Sequence, residues 1–189
     1  GWNTASFSPT YDYYLAQYSN INTPPSFEIK NRSDEVIRVL VDNEKLRQLQ
    51  QEVGVNNIEF MEVLVPDAPK LPAYIIKPDD FDQRRQYPLL MYLYNGPNSQ
   101  EVTDQWKGQN YWWFQMLADE GFIIACVDGR GTGSRGRDYR QQTYMKLGEL
   151  ESHDQIGAAK YFATLPYIDK EHIGIFGWSY GGYMSSLCL

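Results

Sequence analysis

Among the residues of this chain, Ser179 has the neighbours that suit a nucleophile best. It sits in Gly177-Trp178-Ser179-Tyr180-Gly181-Gly182, a G-x-S-x-G pattern. A serine hydroxyl attacks a carbonyl carbon when a base takes its proton and fixed donors receive the developing oxyanion. The pattern alone arises by chance in roughly 7% of chains of this composition, so its flanks decide. Before it, His172-Ile173-Gly174-Ile175-Phe176 is a short apolar run suited to a buried strand. After it, Gly182-Tyr183-Met184-Ser185-Ser186-Leu187 contains no proline and can begin a helix. A strand turning sharply into a helix cramps the serine's backbone, and side chains on the flanking glycines would obstruct that turn. The helix start behind it offers unpaired N–H groups and a positive dipole end to an oxyanion.

The base is harder to find. The chain has two histidines. His172 precedes Ser179 by seven residues on one strand, which at roughly 3.3 Å per residue puts it about 23 Å away. His153, beside Glu151, Ser152 and Asp154, reads as part of a solvated helix end. In α/β-hydrolases the acid and the histidine both follow the serine in the chain. The expectation is therefore that both partners lie beyond Leu189.

The elements that must position Ser179 divide near residue 55. Upstream, Tyr13 to Tyr18, Ser26 to Lys30 and Val36 to Val41 are three strand candidates separated by turn-forming clusters. Too few to bury two faces, they suit the end of a repeated blade array. Residues 1–42 are thus expected to be the end of a β-propeller domain, and 43–55 a connecting helix with Leu46, Leu49 and Val53 on one face and Gly54 as its stop.

Residues 56–189 read as an incomplete α/β-hydrolase domain. Phe60 to Val65 and Leu71 to Lys77 form an antiparallel pair, and Tyr87 to Tyr94 is a strongly apolar strand. A helix from Tyr111 to Glu120 and a buried strand from Phe122 to Val127 follow. Ser152-His153-Asp154-Gln155 has capping-box spacing and is expected to open the next helix, which Pro166 follows. The fold class is α/β: an antiparallel pair, then parallel strands with helices, preceded by a blade remnant.

A second glycine motif competes. Gly131-Thr132-Gly133-Ser134-Arg135-Gly136 satisfies G-x-G-x-x-G after a strand. Dinucleotide binding is disfavoured because the glycines lead into Arg-, Gln- and Tyr-rich sequence, and because Glu149, Glu151 and Asp154 lie in a polar stretch rather than at a strand tip. A mobile glycine-rich loop beside the active site accounts for it better.

With 42% hydrophobic and 15% aromatic residues, the 189-residue chain has the material for a core and is not a disordered one. It has no apolar run long enough to cross a bilayer, and its first residues lack signal-peptide character, so either the protein is cytosolic or a targeting segment is missing. A formal charge of -7 argues against a nucleic-acid partner, and the cluster Arg130, Arg135, Arg137 and Arg140 reads as a solvated loop. Cys126 and Cys188 show neither metal-ligand nor disulfide spacing and are expected to be buried free thiols. No metal or cofactor is called for.

Three segments together, Gly177-Trp178-Ser179-Tyr180-Gly181-Gly182-Tyr183, Tyr92-Leu93-Tyr94-Asn95-Gly96-Pro97 and Asp128-Gly129-Arg130-Gly131-Thr132-Gly133, resemble the prolyl oligopeptidase family. Trp178, ahead of the serine, points to that family's dipeptidyl and tripeptidyl peptidase branch. The likeness runs through Val39-Leu40-Val41-Asp42-Asn43 and Asp154-Gln155 and so covers essentially the whole chain. It implies a serine exopeptidase releasing N-terminal dipeptides with proline or alanine second. The related alternatives are a tripeptidyl peptidase, another serine hydrolase of the same fold, or a non-catalytic binding relative. It further implies that Ser179 is the nucleophile, that the Tyr180 N–H and the Tyr94 hydroxyl are oxyanion donors, and that Tyr180 and Trp178 face the substrate. The implied partners are peptides, with a tendency to dimerise through other parts of the protein. A periplasmic or secreted location would suit such an enzyme.

Overall fold

The computed structural model describes all 189 residues, Gly1–Leu189. They form two compact units, one of Gly1–Val55 with Thr103–Trp112, the other of Asn56–Val102 with Trp113–Leu189.

The first unit holds a four-stranded antiparallel meander: β1 (Trp2–Phe7), β2 (Tyr13–Asn20), β3 (Thr23–Asn31) and β4 (Val36–Val41). The sequence pattern had shown only three of these strands. All side chains of β1 are exposed, so Trp-Asn-Thr-Ala-Ser-Phe carries no burial alternation, and its ladder with β2 makes it a strand. Helix α1 (Glu44–Val53) follows, and the Gly54 N–H closes it on the Gln50 carbonyl. Its expected apolar face is not the buried one. Leu49 and Val53 are exposed, whereas Gln50 is buried because its amide donates to the Tyr111 hydroxyl at 3.0 Å and to the Asn22 carbonyl at 3.2 Å.

The second unit is built on a five-stranded mixed sheet. Its strands are β5 (Ile58–Val63), β6 (Leu71–Ile76), β7 (Tyr87–Leu93), β8 (Ile123–Val127) and β9 (Ile168–Gly177), in the spatial order β5-β6-β8-β7-β9. β5, β6 and β8 pair antiparallel, and β8, β7 and β9 pair parallel. Strand β8 therefore enters between two strands that precede it, as helical crossovers allow.

Side chains of β6 and β8 are buried on both faces, which explains their unbroken apolar runs. One face of the sheet, with Val63, Ala73, Ile75, Leu89, Met91, Ile123 and Ala125, packs with Ala158 and Phe162 of α4 (Glu149–Phe162). On the other, Tyr92 meets Phe114 of α2 (Gln109–Asp119), with ring centroids 5.1 Å apart. Each valine, leucine, isoleucine or methionine side chain buried this way stabilises the unit by about 1.5–3 kcal/mol.

Helix α4 begins earlier than its capping-box spacing suggested. Gly148, at φ 92°, takes the N-cap position, and its N–H donates to Glu151 Oε2 at 2.9 Å. Ser152 is inside the helix, with its hydroxyl turned back on the Gly148 carbonyl at 2.6 Å. The left-handed backbone that a glycine accepts sets this start. A short helix α3 (Arg137–Arg140) precedes α4, and α5 (Tyr180–Leu187) follows β9. No helix is long and apolar enough to cross a membrane.

Candidate active site

The site forms where β9 gives way to α5. Ser179 has φ 52° and ψ −114°, a conformation that non-glycine residues adopt at a cost of about 1–3 kcal/mol. Two glycines make the turn sterically feasible. A Cβ on Gly177 would lie 2.5 Å from both the Leu93 carbonyl oxygen and the Gly181 carbonyl carbon, and one on Gly181 would collide with the Leu93 oxygen. Neither glycine has a positive φ, so the requirement is for close approach rather than backbone freedom. Ser179 is exposed at the tip. Its carbonyl accepts from the Tyr183 N–H at 3.1 Å, and the Trp178 carbonyl accepts from the Gly181 N–H at 2.8 Å. Tyr180, the first residue of α5, has an N–H with no partner inside the helix.

Tyr94 arrives from a distant part of the chain. In the parallel ladder Leu93 is level with Gly177, so the residue after each strand emerges at the same sheet edge. The half-buried Tyr94 ring lies 6.3 Å, centroid to centroid, from that of Tyr180. Gly96 leaves room for it, since a Cβ there would come within 2.6 Å of the Tyr94 ring. Trp178 is 76% exposed beside the turn, its ring 6.4 Å from that of Phe176.

Glu151 was not singled out as part of this site. Fully buried, it accepts from the Tyr180 hydroxyl on Oε1 at 3.0 Å and from the Gly148 N–H on Oε2. Burial first, and then the bond to Glu151, push the Tyr180 hydroxyl well above the ordinary tyrosine range. No local spacing signals this pair, which joins the first turns of two separate helices.

Arg130 is not part of a solvated cluster. It is buried, with Nε and Nη2 on the Asp154 carboxylate at 2.6–3.1 Å, and the same carboxylate accepts its backbone N–H at 2.8 Å. That pairing holds the Arg130 guanidinium above its ordinary range. The glycine-rich segment is likewise fastened rather than loose. Thr132 is fully buried, the Gly133 N–H donates to the Ser99 carbonyl at 2.7 Å, and the Asn98 N–H to the Gly131 carbonyl at 3.0 Å. Asp128 accepts the N–H groups of Glu101 and Val102, and Asn95 accepts the Gly129 N–H at 2.6 Å. These bonds, some to backbone carbonyls and some to the Asp128 and Asn95 side chains, tie together the loops after β7 and β8.

Both histidines are engaged elsewhere. His153 Nδ1 lies 3.2 Å from Arg130 Nη2, and His172 Nδ1 lies 2.7 Å from Asp169 Oδ2. Cys126 is buried as expected, whereas Cys188 is only half-buried. No group of His, Cys, Asp and Glu is arranged to hold a metal ion.

A β5-β6-β8-β7-β9 sheet whose last strand turns through a strained serine into a helix defines the α/β-hydrolase type of fold. Comparison with known proteins narrows the class. Residues 108–189 match the profile described as the prolyl oligopeptidase family. The chain is 36% identical over 187 residues to the "probable dipeptidyl peptidase 4" of Aspergillus flavus, covering 98% of this chain and 24% of that protein. It is 38% identical over 184 residues to the "probable dipeptidyl-aminopeptidase B" of Trichophyton verrucosum, covering 95% of this chain and 20% of that protein. The solved structure of Porphyromonas gingivalis dipeptidyl peptidase 4 superimposes with a TM-score of 0.94 at 45% identity, covering 99% of this chain and 26% of that one. Residues 108–189 thus carry a match to the prolyl oligopeptidase family, and the chain as a whole is similar to these dipeptidyl peptidases. It spans about a quarter of the length of the relatives named here.

Proposed function

We propose that this chain carries the nucleophile and oxyanion-binding half of a serine exopeptidase that releases N-terminal dipeptides with proline or alanine second. The observation that carries this is the strained Ser179, exposed at the tip of β9 beside the free N–H of the first residue of α5. In this reading the Ser179 oxygen bonds to the scissile carbonyl carbon and its proton passes to a general base. The carbonyl oxygen, now an oxyanion, is received by the Tyr180 N–H and the Tyr94 hydroxyl, while the Tyr180 ring and Trp178 line the substrate's path. A phenol can donate to an alkoxide where other hydrolases use a second backbone N–H.

The base is assigned to neither histidine, since His172 lies seven residues before Ser179 on the strand that leads into it and the His153 Nδ1 faces Arg130 Nη2. The base and its orienting acid are therefore assigned to residues outside these 189. Residues 1–42 are assigned to the end of a propeller, 43–55 to a connector and 56–189 to part of the hydrolase domain. The names of the dipeptidyl peptidases above support release of a dipeptide.

The test is turnover of chromogenic peptides by the full-length protein. Release from X-Pro and X-Ala substrates, lost in Ser179→Ala, is the expected result. Cleavage only after a third residue would replace dipeptide by tripeptide release, and no reaction of Ser179 with a fluorophosphonate would leave a non-catalytic relative. The 189-residue chain by itself is expected to hydrolyse none of these substrates at a useful rate.

A further inference from the structure

A carboxylate buried away from water costs several kcal/mol unless donors satisfy it. Glu151 is fully buried, and one of its two donors is the hydroxyl of the residue after the candidate nucleophile. The other is the N–H of Gly148 at the start of α4, so Glu151 links the first turns of α4 and α5. The turn it braces stores strain at Ser179, and a strained residue persists only where its surroundings over-determine it. On the β7 side that constraint is steric, through Leu93 against Gly177 and Gly181. On the α4 side it is the hydrogen bond from Tyr180 to Glu151. The Tyr183 ring, edge-on to Tyr180 at 5.4 Å, limits the remaining freedom of the ring.

We infer that Glu151 is a positioning residue: through the Tyr180 hydroxyl it fixes the ring that walls the substrate site and the N–H aimed at the oxyanion. This rests on the reading of Ser179 as nucleophile and of the Tyr180 N–H as oxyanion donor. A buried acceptor that loses its donor is left unsatisfied, so loss of this bond is expected to be visible in rate.

The experiment compares wild type, Tyr180→Phe, Glu151→Gln, Glu151→Ala and the double variant Tyr180→Phe/Glu151→Ala in the full-length protein. Reactive Ser179 is titrated with a fluorophosphonate, and kcat and KM for an X-Pro chromogenic substrate are expressed per titrated site. Tyr180→Phe, which keeps the ring and loses only the hydroxyl, is expected to lower kcat/KM per site roughly 10-fold. Glu151→Ala is expected to lower it at least as much, and Glu151→Gln, which can still bond the hydroxyl, less. The double variant is expected to match Glu151→Ala, because the two changes break the same link.

A purely structural Glu151 would reduce the titratable fraction and the melting temperature but leave kcat/KM per site unchanged in every variant, and that result overturns the inference. Additive losses in the double variant overturn it too. Should Glu151→Ala fail to fold, Tyr180→Phe and Glu151→Gln decide alone, and wild-type kinetics in both overturn it. A wild-type protein that neither reacts with the probe nor turns over substrate overturns the nucleophile reading and this inference with it. Normal wild-type labelling with unaffected variants overturns this inference alone.

Discussion

Gly177 and Gly181 meet backbone to backbone, so that a Cβ on the first would lie 2.5 Å from the carbonyl carbon of the second. Atoms of a backbone inside a sheet and a helix cannot yield as a side-chain tip can. Gly177→Ala and Gly181→Ala are each expected to lower stability by about 1–3 kcal/mol and to abolish fluorophosphonate labelling of Ser179. Urea unfolding and probe labelling check this, and a wild-type unfolding midpoint in either variant would show that the turn tolerates a methyl group.

Relief of strain at Ser179 has the opposite sign. Glycine adopts φ 52° without the Cβ penalty, whereas alanine does not. Ser179→Gly is expected to be more stable than Ser179→Ala by about 1 kcal/mol, with turnover lost in both. Thermal unfolding of the pair measures the difference without any contribution from catalysis.

Arg130 and Asp154 form a buried pair whose carboxylate also holds the Arg130 N–H. Arg130→Met leaves that carboxylate buried without its cation, and a loss of about 3–5 kcal/mol is expected. Arg130→Lys keeps the charge but not the forked contact and should fall between the two. Denaturant titration distinguishes these from a surface arginine, where the change would be within about 0.5 kcal/mol.

For Tyr94→Phe the proposed oxyanion role requires a fall in kcat of roughly 100-fold with KM little changed. Steady-state kinetics on an X-Pro substrate read both. Equal loss in kcat and in ground-state affinity would instead assign Tyr94 to substrate binding.

The Cys188 thiol is pushed above its ordinary range by burial, so at a given pH less of it is thiolate than in an exposed cysteine. Alkylation of Cys188 is expected to be slow at neutral pH and to rise only at more alkaline pH. Fully buried Cys126 should react only on unfolding. Mass spectrometry of pulse-labelled protein tests both.

For Tyr180, burial and the bond to Glu151 favour the protonated hydroxyl. It therefore remains a donor at neutral and mildly alkaline pH, and if the proposed activity holds Tyr180→Phe should leave the alkaline limb of a pH–rate profile in place.

What this sequence determined by itself is local. The apolar runs of β6, β7 and β8 and the glycine spacing around Ser179 state strand, turn and helix directly, because burial and close backbone approach constrain residue type within a few positions. Exposed β1 and the glycine start of α4 were not legible, since the first carries no burial alternation and the second depends on a backbone angle, not on a capping side chain. The tertiary structure alone decided which distant residues meet. The parallel register of β7 with β9 brings Tyr94 to Tyr180, the packing of α4 against the sheet brings Glu151 to the Tyr180 hydroxyl, and the same helix supplies Asp154 to Arg130. Thr103–Trp112 likewise joins the first unit although it lies within the second in sequence. Such contacts depend on strand order and crossover geometry, which no short window of residues encodes.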